Sequence, residues 1–127
     1  AVNAKRRLND LFGRENIVSL GEYPAKCHIE CDVLVLVNCV YDELVDSKVG
    51  YKNILKDFYK HAGNPQYFIM EVIDSSYTIE DEVFPKYLRL SHKDVDEMFP
   101  NFQIKSWQTY KYPQNKKSKT LYLIEKK

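Results

Sequence analysis

The chain has 127 residues, of which 44% are hydrophobic and 29% charged, and its net charge is +1. That is one domain's worth of ordinary globular composition, long enough to bury a core. The near-neutral balance gives no global field aimed at nucleic acid or an acidic membrane. No apolar run approaches the roughly 20 residues that span a bilayer, so no membrane partner is expected.

The N-terminal stretch is charged and amphipathic, without the apolar centre of a signal peptide. Residues 1–12 are predicted as a helix, because Leu8, Leu11 and Phe12 follow helical spacing and Ala4 extends the stripe. Gly13 stands where a C-terminal cap belongs. Asn16 to Leu20 is predicted as a short strand, broken by Gly21 to Pro24. Cys27, Cys31 and Cys39 cannot all pair with one another, and they read as reduced thiols of a cytoplasmic protein. Cys27-His28 and Cys31 lack the second ligand cluster that zinc requires, so no metal is expected. Cys39 has no evident base beside it and reads as an inert thiol.

Asp32 opens Val33-Leu34-Val35-Leu36-Val37, a β-branched run apolar on both faces. Such a run predicts a strand in the middle of a covered, parallel sheet. Tyr51, Ile54, Leu55, Phe58, Tyr59 and Ala62 make one helical stripe. Gly63 caps that helix and Asn64-Pro65 forbids its continuation. Gln66 to Ile73 is a second buried strand, and 75–86 reads as a long loop. Ser91 with Asp94 three residues on predicts a helix start, with Leu90 and Val95 at the positions of a hydrophobic staple. That helix ends near Phe99-Pro100. Residues 102–110 alternate as a two-faced strand, a polar turn follows, and Thr120 to Glu125 closes the chain as a hairpin partner. The whole is predicted as a single α/β domain over 1–127. Strands separated by helices imply parallel crossovers, and the last two imply an antiparallel hairpin.

This order resembles the C-terminal half of a class I, Rossmann-like S-adenosylmethionine-dependent methyltransferase. Ile17-Val18-Ser19-Leu20-Gly21-Glu22 is similar to the family's third strand, with Glu22 where Asp is commoner. Cys31-Asp32 through Val37-Asn38 looks like its fourth strand, and Val40-Tyr41-Asp42-Glu43-Leu44 like the short segment after it, with Tyr41 near a histidine place. Gly63-Asn64-Pro65 before Tyr67-Phe68-Ile69-Met70-Glu71 resembles the helix-to-fifth-strand junction. Leu90 to Phe99 followed by Phe102-Gln103-Ile104 resembles the last helix feeding the final hairpin. The implied fold is a partial Rossmann-like methyltransferase sheet, with parallel strands and a C-terminal antiparallel hairpin.

The implied activity is methyl transfer from S-adenosylmethionine to an unknown acceptor. The alternative is a methyltransferase-like interaction or regulatory module without activity. The family's Gly-x-Gly-x-Gly loop is missing: the chain has four glycines, and none are close enough together to form it. The chain by itself is therefore expected to bind the cofactor weakly or not at all, with an upstream segment or a second chain completing the sheet. The strand at 17–20 would otherwise have to slide in beside 33–37, since an unpaired apolar edge invites association.

Ligands of open α/β sheets sit beyond the carboxyl ends of the strands. By resemblance, Gly21, Glu22 and Asn38 would contact the cofactor, and Tyr41 and Asp74 the substrate. The plainer alternatives are a solvated turn carboxylate for Glu22, a strand-end cap for Asn38 and a packing residue for Tyr41. Lys116, Lys117 and Lys119, with Trp107, Tyr110 and Tyr112 nearby, mix cations and aromatics in a manner suited to a nucleic-acid backbone. A basic hairpin turn is more often simply solvated, and Glu80-Asp81-Glu82 interrupts any continuous basic groove.

Overall fold

The computed structural model describes residues 30–37, 45–77, 85–109 and 119–127. These form a mixed α/β unit. Strand β1 spans Val33–Leu36, helix α1 Lys48–His61, strand β2 Tyr67–Val72, helix α2 His92–Met98, strand β3 Phe102–Gln108 and strand β4 Thr120–Lys126. A 3₁₀ turn, Lys86–Leu88, precedes α2 and begins at the last residue of the predicted loop 75–86. No helix among the described residues is long and apolar enough to cross a membrane.

The four strands lie in the order β1-β2-β4-β3. β1 and β2 are parallel, with Val33 opposite Tyr67 and Leu36 opposite Met70. α1 lies between them in sequence, as the expectation for 33–38 and 66–73 required. β4 runs antiparallel to both β2 and β3. β3 therefore points the same way as β1 and β2, and the last strand is inserted between an earlier strand and its own hairpin partner.

α1 forms for the reason its stripe predicts. Tyr51, Ile54, Leu55, Phe58 and Tyr59 are all buried, and the Ser47 hydroxyl accepts from the Gly50 amide to cap the first turn. The end is set by Gly63, at φ +80, whose amide donates to the Lys60 carbonyl. The chain then returns tightly, and the Tyr59 hydroxyl donates to the Pro65 carbonyl at 2.7 Å. α2 begins with the reciprocal Ser91–Asp94 capping box read from the sequence.

The core lies between the helices and one face of the sheet. Leu34, Leu36, Phe68, Met70, Tyr122 and Ile124 supply the sheet side of one buried cluster with the α1 and α2 residues. Tyr59, Phe68 and Phe99 pack within it, with Phe99 edge-on to Tyr59 at 5.4 Å and to Phe68 at 5.7 Å between ring centroids, and the partly buried Phe102 packs against them.

One expectation is corrected here. The run 33–37 was expected to be covered on both faces, but Val33, Val35 and Val37 are 45%, 54% and 42% exposed. Both helices pack on the Leu34–Leu36 side, and β1 ends the described strand order with β2 as its one described neighbour. The predicted strand at 17–20 lies outside the described residues. Tyr67 and Trp107 continue the exposed face across the sheet.

Candidate functional site at the carboxyl edge of the sheet

The carboxyl ends of β1, β2 and β3 share one edge with the amino end of β4. Of the expected site residues, Asp74 lies there. Gly21, Glu22, Asn38 and Tyr41 lie outside the described residues, as do Cys27, His28 and Cys39.

Asp74 follows β2 by two residues and is 1% exposed. Its carboxylate accepts from the Ser76 amide at 3.0 Å and from the Ser76 hydroxyl, which closes a turn at the strand end. It also accepts from the Tyr122 hydroxyl at 3.0 Å. Tyr122 stands in register with Met70 on one side and Ser106 on the other. The phenol thus reaches from the middle of the sheet to its edge. Gln108, at the end of β3, donates its side-chain amide to the Ser76 hydroxyl at 3.2 Å.

His92, the first residue of α2, completes the group. Its Nε2 is 3.9 Å from Asp74 Oδ2, and its ring meets Tyr122 edge-on at 5.3 Å. The Tyr122 phenol is pushed well above its ordinary value, first by burial, then by the charge and the hydrogen bond of Asp74. It stays a neutral donor to the carboxylate at any physiological pH.

The surrounding chain holds this edge in place. Leu90 forms a parallel bridge with Asp74, and the Ser75 amide donates to the Leu90 carbonyl at 2.8 Å. The buried Arg89 donates to the Tyr77 carbonyl and lies 4.9 Å above the Tyr77 ring. On α2, Asp94 joins Lys48 at 3.1 Å and Lys52 at 2.7 Å, fixing the start of α2 against α1. Burial pushes the Asp94 carboxyl up, but Lys52, the Ser91 amide and hydroxyl, and Lys48 outweigh it and hold it well below the usual carboxylate range. Elsewhere, Cys31 donates its thiol to the Ala62 carbonyl at 3.5 Å. Burial and then the charge of Asp32 push that thiol up, against a weaker lowering by the Val33 backbone, which makes it a poor nucleophile.

Chemically, the edge offers a buried carboxylate, a neutral phenol, a hydroxyl, an amide and an exposed imidazole within a few ångströms. Sequence reading found Asp74 alone. His92, Ser76, Gln108 and Tyr122 carry no local signal, since Tyr122 is 48 residues from Asp74. Of the basic tract near the hairpin turn, Lys119 is described, and its ammonium lies 3.5 Å from Glu71 Oε1 on the sheet face away from the helices.

A scan against known protein families and a search of curated proteins return no match to this chain.

Proposed function

We propose that the chain is the C-terminal half of a Rossmann-like S-adenosylmethionine-dependent methyltransferase. The observation that carries this reading is the strand order β1-β2-β4-β3 with its polarities. Two parallel strands joined through a helix, and a C-terminal hairpin whose last strand returns between them and its partner, are similar to the fourth, fifth and final strands of that family's sheet. The polar group at the carboxyl edge stands where such sheets bind ligands.

The described residues suit the acceptor side of such a site better than the cofactor side. Asp74, Ser76, Gln108 and His92 make a polar set of hydrogen-bonding groups, whereas the adenosyl contacts would fall to Gly21, Glu22 and Asn38. Without a glycine-rich loop, these residues give the cofactor one wall. When bound, the cofactor supplies a methyl group on a positively charged sulfur; the protein contributes position and an ordered polar edge.

The second reading, a methyltransferase-like module without activity, draws support from Asp74. Its carboxylate already has three donors within the fold. Calorimetric titration of S-adenosylmethionine separates the two. The polypeptide at the length its gene encodes should bind in the micromolar range, and residues 1–127 alone about 100-fold more weakly, a loss of about 2.7 kcal/mol. Failure of both to bind would leave the inactive module.

A further inference from the structure

We propose that His92 is the proton acceptor of this edge, positioned by Asp74, and that the methyl acceptor carries an O–H or N–H group. The inference rests on the methyltransferase reading and deepens it.

Three observations converge on His92. The imidazole is accessible, with its side chain 61% exposed, while the carboxylate it faces is 1% exposed. A ligand arriving at the edge meets the ring before it meets Asp74. Second, Asp74 is immobilised without help from the histidine. The Ser76 amide and hydroxyl and the Tyr122 hydroxyl fix it, so the carboxylate holds its place independently of the ring. Third, the fold does not need His92 where it is. The capping of α2 is complete with Ser91 and Asp94, and the ring makes no hydrogen bond among the described residues. A 3.9 Å separation is one that catalytic pairs commonly show before a ligand tightens them.

Asp74 faces the ring from the end of β2, and the Tyr122 ring meets it from β4. With Nε2 directed at Asp74, Nδ1 is left to the ligand. In the step inferred, the acceptor's O–H or N–H proton passes to Nδ1 as its lone pair bonds to the methyl carbon. The carbon–sulfur bond breaks and its electron pair stays on sulfur. The imidazolium rests against the Asp74 carboxylate and later releases the proton to water.

The test has one arm that needs no donor. In the gene-length protein above neutral pH, long-range ¹H–¹⁵N correlation should show His92 protonated on Nε2, and Asp74→Asn should mix the two tautomers. A ring protonated on Nδ1 in the unsubstituted protein overturns the inference, even if Asp74→Asn does not fold. The second arm uses phenol, benzyl alcohol and benzylamine as probe acceptors with radiolabelled S-adenosylmethionine. His92→Gln should keep donor affinity while transfer falls by about 10²–10⁴, and free imidazole should restore transfer to His92→Gly. Transfer by His92→Gln at the original rate, or donor binding without transfer to any probe, overturns the role of His92. Absence of donor binding refutes the methyltransferase reading instead.

Discussion

The Tyr122 hydroxyl donates to Asp74 Oδ2 at 3.0 Å and so ties the interior strand β4 to the turn that leaves β2. Both groups are buried, which makes the bond one between a phenol and a desolvated carboxylate. Tyr122→Phe keeps the ring and removes the donor. Such bonds to charged groups are worth about 1.5–3 kcal/mol, and the substitution should lower stability by that amount in urea unfolding. A loss smaller than a few tenths would mean that the carboxylate finds another donor.

Alkaline pH should unfold the protein through the same phenol. Burial, then the charge and hydrogen bond of Asp74, raise Tyr122, and burial raises Tyr59. An unfolded tyrosine titrates near about 10. The native state therefore holds these protons more tightly, a contribution fully present below that pH and lost as pH rises above it. Phenolate absorbance from Tyr122 and Tyr59 should appear together with the loss of circular dichroism, and Tyr122→Phe should remove the Tyr122 share.

At the acid end the sign reverses. Asp94 is held below the ordinary carboxylate range, so its contribution is present above about 4, the unfolded value, and fades as pH falls below it. Asp94→Asn should flatten that acid limb. Ser91→Ala, which removes the capping hydroxyl, should cost about 1 kcal/mol at neutral pH by thermal denaturation.

Gly63 combines φ +80 with a close approach, since a Cβ there would stand 3.0 Å from Glu30 Cα. Gly63→Ala should cost about 1–2 kcal/mol from the left-handed backbone, with crowding against Glu30 added. Calorimetric melting would register it, and an unchanged midpoint would contradict this account of the α1–β2 turn.

Much of this architecture was legible because it is local. The stripe of α1, the box at Ser91 and the alternation of β3 each repeat within a dozen residues, and each fixes an element by its own spacing. The insertion of β4 between β2 and β3 was not legible. A hairpin pattern says that β3 and β4 pair, but not which of them meets β2. The same limit hid the edge group, because nothing near His92 in sequence marks Asp74 as its neighbour. The exposed valines of β1 expose a different limit: an apolar run states a preference for cover without saying what supplies it.

Val35 lets that preference be measured. It is 54% exposed, so Val35→Lys in the 127-residue chain should change stability by less than about 0.5 kcal/mol. A loss of several times that size would show that the face is covered in solution.

The position of β4 also sets an order of events during synthesis. β3 leaves the ribosome before the strand that separates it from β2, so its place in the sheet does not exist when it emerges. It must wait, with Phe102 and Ile104 unburied, until residues 120–126 follow. A polypeptide truncated before Thr120 would keep β1 and β2 as candidates to pair but leave β3 undocked, a natural substrate for a holdase chaperone.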